Sequence, residues 1–439
     1  MKIAIWGNEL IAWTAAACFA EMGNEVLFVP LFSGDHNSGE NRSNNSPNKQ
    51  AKLHDAPANV KEEPSLVEQL QQQLDAGRLR FTDTETAQSA MLHFLAFLPK
   101  QLEYATSLCQ LVAADSKRQL IVMNASNFGI GASDKLQACF RGEQQIIAYI
   151  PDQLPAGSAL AHFKNPDHLI IGCQQEWALM HIRALYRPFS RNINQWLLMS
   201  AREAEYTKFA ITGMLALRLA YINDLANLAD EIDVDIDIIR QAMGSDERIG
   251  QHYLNPGCGF GGEHFPQYIE GLAGTLSEAR NSSLLSTVLE ENEKQKELPF
   301  RKLWRHYDCD LQAKTISIWG LAFKPGTASI SNAPSLKVID ALLNQGCKVK
   351  VHDPMAMANI EAFFSTHHHR EQLAFCDSEM QALEHSDGLL LLTEWAQYFS
   401  PDYQVMLDTM NTALLIDGRN VFDKKLIKEL GFTYYGVGR

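Results

Sequence analysis

"KIAIWGNELIAWTAAACFAEMGNEVLFVP", Lys2 to Pro30, decides the fold. Its opening is a short apolar run that stops at Gly7. "LIAWTAAACFAEMG" then has helical spacing and a glycine stop at Gly23, and "EVLFVP" is a second apolar, β-branched run. Strand, helix and strand in direct succession make a βαβ opening. The same grammar returns at Thr315. "TISIWGLAFKPGT" is strand, glycine and turn, "SLKVIDALLNQG" a helix with a glycine stop, and "KVKVHDP", "GLLLLTEW" and "ALLIDGRN" further strands. Between the two, "HFLAFLP", "QLIVMNAS" and "HLIIGC" read as buried strands that carry the first α/β unit to about Arg187.

The expected fold is therefore α/β, with two Rossmann-type domains joined by a long central helix. From about Asn192 to Asp230 breakers are few. Leu215, Leu219, Ile222, Ala226 and Ala229 recur at three- and four-residue steps, which gives one apolar face. Such a helix can pair with its copy, so a homodimer is expected. The expected domains are residues 1–190, a central helical dimerisation region 191–300, and residues 301–439. Residues 33–64 are rich in Ser, Asn, Gly, Pro and charge, and read as a flexible surface loop.

Composition narrows the function classes. Of 439 residues, 46% are hydrophobic and 21% charged, ordinary values for a globular chain with real cores. A formal net charge of -14 argues against a nucleic-acid surface, which needs clustered Lys and Arg. The eight cysteines show no C-x-x-C pair, and read as reduced and mostly buried. No apolar run looks long enough to cross a bilayer, and "MKIAIWG" reads as a strand rather than a signal peptide. A cytoplasmic protein follows. His367 to His369 read as a solvated loop, and no metal site is expected.

Several motifs in order, "NPGCGFGG", "GLAFKPGT", "NAPSLKVIDALL", "LLTEW", "IDGRNVFD" and "GFTYYGVGR", make the chain resemble the UDP-glucose/GDP-mannose dehydrogenase family nearly end to end. The resemblance implies an N-terminal NAD-binding domain, a central dimerisation domain and a C-terminal domain that holds the nucleotide sugar. It implies oxidation of the sugar C6 alcohol to an acid in two NAD-linked steps.

The cofactor half departs from that pattern. A dinucleotide fold wants G-x-G-x-x-G after its first strand. Here the segment is Gly7-Asn8-Glu9-Leu10-Ile11-Ala12, so Gly7, Leu10 and Ile11 stand at cofactor positions but Glu9 replaces the second glycine. The second strand ends in Pro30 rather than an acid. The family's G-T-P becomes Leu98-Pro99-Lys100, and its S-T-V-P-V-G-T becomes Ser126 to Ala132. The chemical half departs too. In the family loop G-F-G-G-S-C-F-P-K-D a Cys captures the aldehyde as a thioester; here that position is His264. An imidazole is a base or a donor, not an acyl-transfer thiolate. The assisting Asp is Tyr268, the Lys before it Gln267, the water-positioning acid Ala156 and the helix Asn Thr212; Lys208 is retained. Cys258, in the same loop, reads as a small buried thiol.

The nucleotide-sugar half keeps its pattern. By resemblance, Tyr253, Leu254 and Asn255 open the loop along the base and ribose, and Gly259, Gly261 and Gly262 admit the sugar. Phe265 follows in register, Phe323 and Lys324 match F-K-P, and Arg419 and Arg248 match arginines near the diphosphate, Arg248 reaching over from a partner subunit. Thr327 to Ser331 lacks the family's cofactor-reaching arginine. The expectation is a family member that binds a UDP-sugar and has lost or much reduced its NAD-dependent oxidation. The alternatives are a working dehydrogenase with a rebuilt site and a structural subunit that pairs with an active paralogue.

Overall fold

The computed structural model describes residues 1–31, 52–190 and 195–439. It divides into two compact units, Met1–Phe209 and Ala210–Arg439.

The first unit is built on an eight-stranded sheet. Its strands are β1 (Lys2–Gly7), β2 (Glu25–Val29), β3 (Leu79–Phe81), β4 (Leu92–Ala96), β5 (Leu120–Asn124), β6 (Gln145–Tyr149), β7 (Leu169–Gly172) and β8 (Trp196–Met199). They lie in the order β3-β2-β1-β4-β5-β6-β7-β8. Only the β6–β7 pair is antiparallel. The helix Leu10–Glu21 that follows β1 is Ala-rich, and every residue in it but Glu21 is buried. Trp13 anchors it, edge-on to Phe28 with ring centroids 4.7 Å apart. Removing such a ring costs about 3–5 kcal/mol. Gly23, at φ 82°, ends this segment in the left-handed region that suits glycine. Deep in the sheet, Trp6 donates its indole N–H to His93 Nδ1 at 3.0 Å, and His93 Nε2 lies 2.7 Å from Ala90 O. The imidazole is thus neutral with its proton on Nε2, and burial pushes its pKa down to about 3.

Two sequence expectations need correction here. Of the expected flexible loop 33–64, residues 33–51 lie outside the described residues, but Lys52–Pro64 is structured. Ala56 and Val60 are buried, and the Glu63 carboxylate, itself buried, accepts from Gly157 N at 2.8 Å and Ala159 N at 2.9 Å. A buried acid with two backbone donors fixes a segment that composition alone reads as loose. The long helix also starts later than expected, at Ala201 rather than near Asn192, because residues 196–199 join the sheet edge as β8. Ser200 N and Oγ each bond Glu203 Oε2 at 2.7 Å and cap the helix there.

The helix Ala201–Ile232 reaches a mean hydropathy of 1.2 over an 18-residue window, so by length and composition it could cross a membrane. That corrects the reading that no run is long enough. Its polar side chains are nonetheless tied into the protein. Buried Glu205 accepts from Gly131 N and Ser133 N at 2.6 and 2.7 Å, and Arg218 donates to Ile249 O, Gly250 O and His252 O. Met214, Tyr221, Leu228 and Ile232 form an exposed apolar stripe on it.

The second unit holds a six-stranded parallel sheet: β9 (Thr315–Trp319), β10 (Lys348–His352), β11 (Leu373–Phe375), β12 (Gly388–Leu391), β13 (Leu414–Asp417) and β14 (Thr433–Tyr435). The order β11-β10-β9-β12-β13-β14 is the doubly wound arrangement, with its switch between β9 and β12. Asp353, just past β10, is saturated. Its carboxylate accepts from Leu321 N, Ala322 N, Met355 N, Ala356 N and Trp395 Nε1, which fixes the turn leading to Phe323. All eight cysteines are unpaired, and Cys309 alone among them is exposed.

Candidate functional site

The site in the second unit is built around the glycine loop. Gly261 is packed so closely that a Cβ there would lie 2.6 Å from Asn332 O; at Gly262, φ 93°, one would lie 3.0 Å from the Phe323 ring. Only glycine fits such an approach. The loop is pinned on both sides. Gly262 N donates to Ser331 O at 2.7 Å, and Asn332 Nδ2 donates to Gly262 O at 3.0 Å. From the helix Leu284–Gln295, Asn292 accepts from Phe260 N at 2.8 Å and donates to Phe260 O at 3.0 Å. Asn223 accepts from Gly257 N at 2.9 Å, and Gln295 donates to Gly257 O at 2.8 Å. Sequence reasoning missed these three amides. They stand in polar helix text with nothing periodic to mark them.

Most expected nucleotide-sugar residues come together here. Phe265 packs edge-on to Phe260 at 5.1 Å. Phe323 faces Gly262, with Lys324 Nζ 5.8 Å from its ring centre. Arg419 Nη1 donates to Gly259 O at 3.1 Å, and its Nε donates to Leu392 O at 2.8 Å and lies 3.3 Å from Glu394 Oε2. Its guanidinium therefore braces the loop backbone. Leu254 is buried, Asn255 exposed, and Tyr253 exposed at φ 58°. Arg248 stands apart on an exposed turn, paired with Asp246 at 2.6 Å. Cys258 is fully buried with Sγ 3.8 Å from Leu392 O, and burial pushes its thiol pKa up.

The helix His264–Arg280 begins where the loop ends. His264 opens it and stacks on Tyr268 one turn later, centroids 6.0 Å apart and planes 19° from parallel. The two positions where the resemblance places nucleophile and acid thus hold stacked rings. Among the described residues no group of His, Cys, Asp and Glu could hold a metal ion, and His367 bonds Asp340 at 3.2 Å.

In the first unit, the residues past the carboxyl ends of β1, β2 and β4 are Asn8-Glu9, Pro30 and Phe97. Gly7, at φ 115°, is required because a Cβ would strike Ala96 O. Glu9 is the extended N-cap of the helix Leu10–Glu21, with no side-chain cap bond, and Asn8 Oδ1 accepts from Trp13 Nε1 at 3.0 Å. Leu10 and Ile11 are buried in the core. Phe97 stacks edge-on with Tyr104, and Tyr149 donates to Asn127 Oδ1 at 2.9 Å. Lys208 donates to Asp152 O, and burial holds its ammonium pKa below the usual range while the charge of Asp152 opposes that shift.

Comparison with known proteins agrees with this architecture. Residues 1–190 match the NAD binding domain of the UDP-glucose/GDP-mannose dehydrogenase family, residues 202–294 its central domain and residues 317–424 its UDP binding domain. A UDP-glucose 6-dehydrogenase of Pseudomonas aeruginosa is 35% identical, with 100% of this chain and 98% of that protein covered. One from Bacillus subtilis is 27% identical over 100% of this chain and 93% of its own length. The solved structure of a UDP-glucose dehydrogenase from Pyrobaculum islandicum superposes with a TM-score of 0.80 at 26% identity, covering 100% of this chain and 97% of that one. With its two Rossmann-type sheets, its glycine loop and its full-length kinship, this chain belongs to the UDP-glucose/GDP-mannose dehydrogenase family.

Proposed function

We propose that this chain binds a UDP-sugar on the glycine loop of its second unit and has lost, or much reduced, the NAD-dependent oxidation of the sugar. His264 carries the reading. It stands at the nucleophile position, at the head of the helix His264–Arg280 and stacked on Tyr268. Acyl transfer through a thioester needs sulfur that is both a strong nucleophile and a fair leaving group. Imidazole is not that.

The cofactor position supports the same view. A pyrophosphate approaches backbone at a glycine and draws on the helix N-terminus. Glu9 instead puts a carboxylate at that N-terminus, and Pro30 offers no acceptor to a ribose. These residues do not fit NAD. The relatives named UDP-glucose 6-dehydrogenase suggest UDP-glucose as the ligand to try first. The exposed stripe Met214, Tyr221, Leu228 and Ile232 suits a second copy, so a homodimer belongs to the proposal, with Arg248 of each copy, exposed on its turn beside Asp246, reaching over to its partner. A cytoplasmic role that regulates or scaffolds polysaccharide synthesis completes it.

Retention of Lys208, half-buried and bonded to Asp152 O, favours a second reading: a working dehydrogenase with rebuilt contacts. Calorimetric titration with UDP-glucose and with NAD, separately, tests both. Saturable UDP-glucose binding without NAD binding is the expected result. Tight NAD binding, with steady NADH release once both ligands are present together, would sink the first reading, and silence toward both ligands would leave only a structural subunit.

A further inference from the structure

The second unit contains a cavity of about 620 Å³ lined by none of the glycine-loop residues themselves. One wall is the polar face of the long helix, from Ala220 to Glu231; the opposite wall is the helix Leu298–His306, and Tyr435 of β14 closes one end. Its floor is made of Asn223, Asn292 and Gln295, the amides that hold Gly257 and Phe260. Asn227, also on the wall, donates to Gln295 Oε1 at 2.9 Å.

The charges are arranged in two tiers. Lys302 is mostly buried and is neutralised by Asp230 at 2.5 Å. Arg301, partly buried beside it, has a guanidinium with no ion pair or hydrogen bond among the described residues, and His306 Nδ1 lies 3.2 Å from Tyr435 OH. Among the described lining residues Arg301 is thus the one uncompensated cation, and an imidazole and a phenol line the same cavity. The rim is acidic or self-paired. Asp224 has no partner among the described residues, Glu231 lies 3.9 Å from Arg305 and both are well exposed, and Glu291 pairs Lys294.

We infer that this cavity is a second ligand site, for a small molecule with one anionic head and a hydroxyl-rich body, the chemical class of sugar phosphates and sugar acids. Arg301 would take the head, since a guanidinium matches carboxylate or phosphate oxygens with paired N–H donors. Carboxylates and amides at the rim accept from hydroxyls, whereas a second anionic group would meet Asp224 and Glu231. The size suits a ligand of this class rather than a macromolecule. Because the floor amides are the ones that fix the glycine loop, occupancy changes the grip of that loop on its nucleotide sugar. This coupling rests on the functional reading above; the cavity as a binding site does not.

The test uses the full chain and calorimetry with glucose 1-phosphate, glucuronate and, as controls, inorganic phosphate and glucose. Saturable binding of glucose 1-phosphate or glucuronate is expected, stronger than either control and not displaced by UDP. Arg301→Gln is expected to weaken it roughly ten- to a hundredfold, as loss of a charged hydrogen bond does, and to leave UDP binding within about threefold. Linkage then requires that saturating sugar phosphate shift the affinity for UDP by the same factor that UDP shifts the affinity for sugar phosphate. No saturable binding, displacement by UDP, or unchanged affinity in Arg301→Gln would each overturn the site. An unchanged UDP affinity in the presence of saturating sugar phosphate would overturn the coupling. Should the sugar phosphate bind through Arg301 while UDP binds nowhere, the cavity stands and the nucleotide-sugar reading falls.

Discussion

Replacing Asn292 with alanine strips the glycine loop of two bonds at once. The amide is buried and serves a single residue, accepting from Phe260 N at 2.8 Å and donating to Phe260 O at 3.0 Å. Each bond costs about 1 kcal/mol to lose where water replaces it, and about 2 kcal/mol where the orphaned backbone group stays dry. Local opening of the loop should become easier by about 2–4 kcal/mol, which raises its open fraction roughly thirty- to a thousandfold. A global unfolding free energy is a poor readout for a chain of two compact units. Amide hydrogen exchange at Phe260, read by mass spectrometry of short peptides, reports the local term directly. Asn292→Asp keeps the acceptor for Phe260 N and loses the donor for Phe260 O, so it should fall between the two. If Phe260 exchanges in Asn292→Ala within about threefold of the parent rate, the amide does not hold the loop and the energetic argument fails.

Four further outcomes are expected. His264→Cys should release no NADH from UDP-glucose and NAD if, as proposed, Glu9 and Pro30 also bar the cofactor; sustained absorbance growth would show otherwise. Gly261→Ala places a Cβ 2.6 Å from Asn332 O, a backbone atom that cannot step aside cheaply. It should cost about 1–3 kcal/mol in stability and weaken UDP-glucose binding at least about tenfold, and unchanged calorimetry and melting would count against the packing. His93, neutral in the fold with a pKa of about 3, should bind its proton near pH 6.5 when unfolded. The unfolded chain then holds more protons between those values, so stability falls as pH drops through that window. His93→Gln should melt with a flatter profile from pH 6.5 toward acid, and parallel profiles would contradict the buried neutral imidazole. Leu228→Glu, on the exposed stripe, should turn a dimer into a monomer in sedimentation, and a monomeric parent would remove the basis for the seam.

Both sheets were legible because their first strands run into glycines and their first helices are apolar runs that stop at a glycine, as Lys2 to Val29 and Thr315 to His352 show. β8 was not. "WLLM" is four residues long, sits at a sheet edge and runs straight into a helix, so periodicity cannot separate it from a first helical turn. In the site, the glycines were legible because close backbone approach leaves a residue-type signature. Asn223, Asn292 and Gln295 were not, since an amide among charged residues looks like any solvated helix face until the loop it holds is in place. Glu63 was hidden for the reverse reason: it lies in text that composition assigns to solvent, yet two backbone donors bury it.

Cys309 makes the molecule selectively addressable without engineering. Burial raises the thiols of Cys18, Cys109 and Cys347 to about 12, which keeps them protonated and inert toward electrophiles. A maleimide fluorophore added briefly at neutral pH should therefore attach first at Cys309, ahead of half-buried Cys139, in the turn after the helix Leu298–His306, where Trp304 Nε1 bonds the Cys309 carbonyl at 3.0 Å. A dye there rides on the helix that carries Arg301, so its emission offers a direct optical gauge of small-molecule entry beside it. The same exposure means that air oxidation would tie two molecules together through this sulfur, an artefact that a reducing buffer removes.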